Sequence, residues 1–348
     1  MITISTLSYA VLVSFIILVL LTIWISIDAS RYQHKEKKKE RLVRENRQRC
    51  YDYFIEGQIV SKHVGTSTLE RQAIVQILES YIMYVKDAAI LKRIYTYMNR
   101  YYGAFYKKML KSKNSVERIN ALYYILDFQI VDALPLVERR LRKGRLSTKE
   151  RLESLKIIAQ LEEEKIYSFF EQYREQLTEK ECFTIANQLE DDTIYDIVNS
   201  EHEDEIWLLA ALQVMYKRQL MYGQVAVHQL LEHPNENVQQ AALHMLMITG
   251  TNLPLQQFEH YFYAEQPYKR YVFTNLMTYY DIQDTYFYLL TLIQDQDFIV
   301  RQAAVQTVST YANSERIFEH MLEDMQDTYA IEAIEAFRNG GIIDGTMV

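Results

Sequence analysis

The chain has 348 residues, a formal net charge of −8 and 49 % hydrophobic residues. Only 9 Gly and 4 Pro are present, too few turn residues for an all-β architecture, so we expect helices joined by short turns. Two cysteines, Cys50 and Cys182, exclude a disulfide framework and are typical of a reducing compartment, with a single bridge between them as the alternative.

The N-terminal segment over residues 7–27 reads LSYAVLVSFIILVLLTIWISI and contains no charge, Gly or Pro. As a helix it would span about 30 Å, the hydrocarbon thickness of a bilayer. A cleaved signal peptide is the alternative, but such peptides have a basic start and a shorter apolar run. We therefore predict one transmembrane helix over 7–27, preceded by a short extracytoplasmic tail over 1–6.

Basic residues follow this span and none precedes it, which predicts that the N-terminus lies outside a plasma membrane and the rest of the chain in the cytosol. The predicted basic patch consists of Arg31, Lys35, Lys37, Lys38, Lys39, Arg41, Arg44, Arg47 and Arg49. It has two compatible interpretations, a topology determinant on a solvated helix and a binding surface for anionic lipid headgroups. We predict a basic helical stalk over 28–56 that meets the folded domain near Tyr51.

Charge is unevenly distributed along the chain. Residues 31–146 contain 25 Lys and Arg against 12 Asp and Glu, whereas residues 147–348 contain 13 against 33. The basic half would face the anionic leaflet and the acidic half would project away from it. An acidic distal half tethered to a membrane disfavours nucleic acid as a partner.

A Tyr-rich helical cap region is predicted over 57–112, where Ser67 and Glu70 have the spacing of a helix start. Farther along, Ser147 and Glu150 have the same spacing and predict a capping box. Self-similarity begins between these points and strengthens after residue 205. We predict a repeat array over 113–340, followed by a tail over 341–348.

The repeat is clearest in four ungapped windows spaced by 31 residues. Ala210-Ala211-Leu212 matches Ala241-Ala242-Leu243 and Ala303-Ala304-Val305, with Val272-Phe273-Thr274 as the weaker copy between them. Each window divides into two amphipathic segments, and the second segment of one copy follows Pro254, a helix-start residue. Helix pairs this short need stacked neighbours to complete their core.

These segments resemble the HEAT-repeat family, on the VQQAAL sequence at Val238 and the VRQAAV sequence at Val300, each after a short acidic or polar turn. The resemblance is good over 205–337 and loose over 115–200. It implies an α-solenoid and supports a fold better than a function. The predicted fold class is all-α, with a single N-terminal transmembrane helix followed by an α-solenoid of HEAT-like helical hairpins.

Catalytic chemistry is not indicated. Some HEAT-like proteins are di-iron hydroxylases with His-Glu pairs on successive repeats, but this chain has one such pair, His202-Glu203. It has no glycine-rich phosphate loop, GxSxG or CxxC motif. We therefore expect no enzyme activity, no metal and no cofactor.

Two candidate partner-binding sets remain. The acidic residues Glu201, Glu203, Asp204 and Glu205 precede a helix, where they either stabilise its N-terminus or form a docking patch. Tyr261, Tyr263, Tyr286 and Tyr288 fall on second helices, which line the concave face of a solenoid, so we predict a partner groove there.

The sequence thus predicts a scaffold or adaptor that mediates protein–protein interaction at the cytosolic membrane face, with a membrane-associated partner and anionic lipid headgroups. The architecture would suit support of an integral membrane enzyme complex, such as a surface-polysaccharide synthase. The alternatives are a regulatory protein that binds a small ligand and an enzyme with an unrecognised site.

Overall fold

The computed structural model describes residues 4–58, 65, 67–200, 204–220, 224–323 and 325–340, excluding the side chains of 4–12 and 224–226. The described part is all-helical and contains no strand, which confirms the predicted all-α class. The chain divides into two compact units, 1–161 and 162–348.

The first unit contains six α-helices among its described residues. They are α1 (Ile4–Cys50), α2 (Thr68–Tyr84), α3 (Ala88–Met109), α4 (Ser115–Asp127), α5 (Leu134–Lys143) and α6 (Thr148–Leu161). A π-helical turn (Tyr51–Ile55) extends α1, and a short 3-10 helix (Val131–Ala133) precedes α5. The predicted caps are present, because the backbone N–H of Glu70 donates to the Ser67 hydroxyl and that of Glu150 donates to the Ser147 hydroxyl.

Helix α1 carries the predicted transmembrane segment. It is long and apolar enough to cross a membrane, and the apolar side chains described between residues 13 and 27 are exposed. Its second half packs along α2 and buries Val43, Asn46 and Cys50, three residues that share one helix face. The folded unit therefore begins well before Tyr51, where the stalk was expected to meet it. Asn46 is accommodated because its amide donates to the Leu42 carbonyl at 2.8 Å.

The end of this helix is fixed by α3. The Arg93 guanidinium donates to the carbonyl oxygens of Phe54 at 3.0 Å and Ile55 at 3.2 Å. These carbonyls have no partner inside the helix, since a helix leaves its last four unsatisfied. One arginine thereby joins the end of α1 to the body of the first unit.

A buried carboxylate joins α4, α5 and α6. Glu150 accepts from Arg118 at 2.5 Å and from Arg140 at 2.9 Å, and its side chain is 3 % exposed. It also accepts from the backbone N–H of Ser147 at 3.2 Å, which completes the predicted capping box. Burial alone would raise the pKa of Glu150, but hydrogen bonds from Arg118 and Ser147 lower it below its usual value.

The second unit contains twelve α-helices among its described residues. They are α7 (Ile166–Tyr173), α8 (Glu179–Ala186), α9 (Asp191–Asn199), α10 (Glu205–Arg218), α11 (Gln224–Gln229), α12 (Glu236–Thr249), α13 (Glu259–Phe262), α14 (Pro267–Leu276), α15 (Ile282–Leu292), α16 (Phe298–Ser309), α17 (Ser314–Glu323) and α18 (Thr328–Arg338). A 3-10 helix (Leu255–Phe258) leads directly into α13.

First helices of successive repeats contact one another in order: α8 with α10, α10 with α12, α12 with α14, α14 with α16, and α16 with α18. The residues that precede α10, α12, α14 and α16 are Asp204, Asn235, Gln266 and Asp297, which preserve the repeat period of the sequence. Ala211, Ala242 and Ala304 are fully buried at equivalent positions. Small side chains there allow neighbouring helices to approach closely.

Tyrosine hydroxyls form hydrogen bonds from one repeat to the preceding repeat. The Tyr279 hydroxyl donates to the carbonyl oxygens of Met247 at 2.9 Å and Ile248 at 3.1 Å, at the end of α12. The Tyr311 hydroxyl likewise donates to the Met277 carbonyl just after α14. Part of the high tyrosine content therefore serves hydrogen bonds to backbone carbonyls at or just beyond helix ends.

Long polar side chains secure the turn before several first helices. Gln239, Arg270 and Arg301 each lie four residues after the helix cap and donate to carbonyl oxygens of the preceding turn. Arg270 also pairs with the Asp295 carboxylate at 2.6 and 2.9 Å. The same interaction thus recurs at the repeat period.

Candidate interaction surface

An exposed aromatic patch lies on two neighbouring second helices. It consists of Phe262 and Tyr263 at the end of α13, and Phe287 and Tyr288 on α15. The Phe262 ring centroid is 5.1 Å from that of Tyr288 and 6.3 Å from that of Phe287. Tyr263 is 70 % exposed and Phe287 is 63 % exposed.

The rings of this aromatic patch are held from beneath. Phe273 of α14 is fully buried, and its ring centroid lies 5.4 Å from Tyr288 and 6.0 Å from Phe262. The Tyr288 hydroxyl donates to Glu259 at 2.9 Å. Burial and this carboxylate raise the pKa of Tyr288, so its hydroxyl remains a donor at neutral pH. A fixed ring loses little side-chain entropy when a partner covers it.

The four tyrosines of the predicted groove do not all lie together in the structure. Tyr263 and Tyr288 belong to the aromatic patch. Tyr261 is buried, with its ring against His260. Tyr286 is half-buried and its ring lies 5.9 Å from that of His320 on α17.

Two patch residues, Phe262 and Phe287, were absent from the predicted groove. Both lie on the predicted second helices, so the helical pattern could have indicated them. Phenylalanine, however, is usually found in protein cores, and its presence alone does not predict exposure.

Two of the four residues in the predicted acidic set have local structural roles. Glu201 and Glu203 lie outside the described residues. Asp204 caps α10 by accepting from the backbone N–H of Ile206 at 2.9 Å and pairs with Arg174. Glu205 accepts from the Asn235 amide of the next repeat at 2.7 Å. Asp204 and Glu205 therefore stabilise the repeats themselves.

The predicted basic patch is present on α1. Eight of its nine residues are exposed, and the ninth, Lys39, is half-buried and paired with Glu36 at 2.6 Å. Arg41 pairs with Glu45 at 2.7 Å, an exposed contact of small energetic value. The exposed cations lie on the faces of α1 that do not contact α2, where they remain accessible to an anionic surface.

Groups with catalytic or metal-binding chemistry are scattered. Among the described residues, no group of three or more His, Cys, Asp and Glu has the arrangement of a metal site. His228 lies 2.9 Å from the Thr251 hydroxyl, and His233 accepts from the backbone N–H of Asn235. Burial raises the pKa of the Cys182 thiol to about 12, which leaves it protonated and unreactive at neutral pH.

No family model matches this chain, and no curated protein matches it significantly.

Proposed function

We propose that this chain is a membrane-anchored helical-repeat scaffold that binds a protein partner through the aromatic patch. The observation that carries the proposal is the patch itself: four aromatic rings, two of them largely exposed, held by a buried ring beneath. Large exposed apolar surfaces on monomeric proteins are typical of interaction sites, and Tyr and Phe are enriched in protein interfaces.

The proposed architecture is an α-solenoid of HEAT-like hairpins in the second unit. Two features support it: first helices that contact one another in sequence order, and helix starts that recur at the repeat period. Second helices α13 and α15 then belong to successive repeats, and a partner lying across them would contact more than one repeat.

We propose that residues 7–27 of α1 span the plasma membrane with the N-terminus outside. The exposed cations that follow the span support this orientation and would contact anionic lipid headgroups in the cytosolic leaflet. A protease added to intact cells should remove an N-terminal tag and leave a C-terminal tag intact. Loss of only the C-terminal tag would show that the chain has the opposite orientation.

Affinity capture of the tagged full-length protein from native membranes tests the scaffold function. We expect one membrane-associated partner in amounts comparable to the protein. The double variant Tyr263→Ser, Phe287→Ser should lose that partner, since it removes the two most exposed rings of the patch. Tyr84→Ser is the matched control, because Tyr84 is 78 % exposed but lies on α2, in the other unit.

The outcome depends on the difference between these variants. Retention of the partner by wild type and by the Tyr84 control, with loss in the patch variant, supports the proposal. Equal capture by all three proteins, with the helical content unchanged by circular dichroism, would exclude the aromatic patch as the binding surface.

A further inference from the structure

A cavity of the second unit lies across its first helices and shares no residue with the aromatic patch. Its volume is about 330 Å³, within the size range of small-ligand sites. It is lined by residues of α10, α12, α14 and the start of α16: Tyr216, His244, Met247, Pro267, Tyr268, Tyr271, Asp297 and Ile299.

Aromatic rings belong to half of the lining residues. The His244 ring centroid lies 5.2 Å from Tyr268, nearly perpendicular to it, and 5.7 Å from Tyr216. Burial, followed by the nearby phenols of Tyr271 and Tyr216, raises the pKa of Tyr268. The phenol rings of Tyr216, Tyr268 and Tyr271 therefore line one small volume, with their electron-rich faces close together.

The lining of the cavity includes one carboxylate. Asp297 is the only residue of the lining with a charged side chain, apart from the titratable His244. Burial lowers the pKa of His244, so that imidazole is neutral at neutral pH and does not repel a cation. The positive charge of the nearby Arg270 is offset by the Asp295 carboxylate, to which it donates two hydrogen bonds.

Asp297 occupies a fixed position at the cavity edge. One of its carboxylate oxygens accepts from the backbone N–H groups of Ile299 at 2.9 Å and Val300 at 3.4 Å, as the cap of α16. The side chains of Met247, Pro267 and Ile299 add apolar surface. The cavity thus combines aromatic faces, apolar walls and one anchored carboxylate.

We propose that this cavity binds an alkylated ammonium cation, with the positive head group among the rings of Tyr216, Tyr268 and Tyr271 and near the Asp297 carboxylate. Aromatic faces attract cations through their quadrupole, and a trimethylammonium head offers both the charge and the methyl surface that such a cavity matches. A primary ammonium ion would lose more hydration on entering these apolar walls.

Two kinds of molecule carry a trimethylammonium head group of this kind: a free choline-like molecule and a phosphatidylcholine lipid. The probe is choline, titrated by calorimetry and by saturation-transfer NMR of its methyl protons, on the full chain in phosphatidylglycerol nanodiscs. The neutral control is 3,3-dimethyl-1-butanol, which has the same shape without the charge. Repeating the titration in phosphatidylcholine nanodiscs separates the sources, because an occupying lipid headgroup would weaken choline binding.

Two variants test the site with little risk to folding. Asp297→Asn retains a good helix-capping side chain and removes only the charge. Tyr216→Leu alters a ring that is 48 % exposed. Each should weaken choline binding by about fivefold or more, the effect of losing one cation–π contact or its nearby charge. Phe287→Ser, in the aromatic patch, should leave choline binding unchanged.

Each possible result either supports or overturns the proposal. Choline binding that the neutral alcohol does not reproduce and that both cavity variants weaken supports the proposal, from either source of ligand. Absence of choline binding in both kinds of nanodisc would overturn it. Equal binding of choline and the alcohol, or choline binding unaffected by both variants, would overturn it as well.

Discussion

Removing the Arg270 guanidinium should destabilise the second unit by about 3 kcal/mol. In Arg270→Met, the Asp295 carboxylate loses hydrogen bonds of 2.6 and 2.9 Å, and two turn carbonyls lose their donor. The two side chains are 16 % and 8 % exposed. Removing one partner of a buried ion pair costs about 3–5 kcal/mol, and the remaining exposure of Arg270 places this pair at the lower end.

The chain provides a matched comparison at Arg301. This arginine also donates to two turn carbonyls, but its guanidinium lies over the rings of Phe298 and Tyr329. Arg301→Met should cost less, about 1–2 kcal/mol, because it removes hydrogen bonds and ring contacts but leaves no buried charge without its partner. Adding Asp295→Asn to Arg270→Met should cost less than the sum of the single changes, because no buried charge is then left without its partner.

Tryptophan fluorescence of the full chain in detergent measures these differences. The chain has two tryptophans, so Trp24→Phe leaves Trp207, fully buried in α10, as the only reporter. Urea unfolding then gives the free energy of the unit that contains Arg270. A difference of less than about 0.5 kcal/mol between Arg270→Met and Arg301→Met would refute the reasoning that the Asp295 pair carries most of the energy.

Three further changes test other parts of the structure. Glu150→Gln should destabilise the first unit by about 3 kcal/mol in chemical unfolding, since two partly buried arginines lose their counter-charge. Burial and the neighbouring Asp127 raise the pKa of Glu79 above its usual value of 4.5. The folded state therefore binds a proton more tightly than the unfolded state, and the melting temperature should rise as the pH falls from neutral towards 4.5. Glu79→Gln should flatten this rise. Gly250→Ala should cost about 2 kcal/mol in the same unfolding assay, because its φ of 72° is unfavourable for alanine and its new Cβ would lie 2.9 Å from the Tyr279 ring.

Local patterns in the sequence predicted the helices well. Buried alanines such as Ala242 and Ala304 recur at the repeat period, and caps such as Ser147 lie where the chain leaves a turn. These features depend on neighbours within a few residues, so the sequence alone determines them. For the same reason, the composition and the long apolar segment predicted the all-α class and the candidate membrane helix.

The candidate site was predicted less well. Tyr261 is buried and Tyr263 is exposed, although both lie at the end of the same predicted helix. The reason is that α13 has a single turn and follows a 3-10 helix, so its rotation depends on packing rather than on a continuous helical period. The docking of α1 on α2 was missed because Val43 and Cys50 are apolar residues in a strongly charged segment, and their partner helix is distant in sequence.

Long-range polar contacts could not be predicted at all. The Arg118–Glu150 pair, for example, depends on how α4 packs against α6. The cavity of Tyr216, His244 and Tyr268 likewise forms only when first helices of successive repeats stack in register.

A photo-crosslinkable phenylalanine analogue in place of Phe287 tests the scaffold function most directly. Irradiated in living cells within the full-length protein, it should form a crosslink to one membrane-associated protein. The same analogue in place of Tyr84 should not form that crosslink. Absence of any crosslink from position 287, or the same products from both positions, would contradict the proposal that the aromatic patch binds a protein partner.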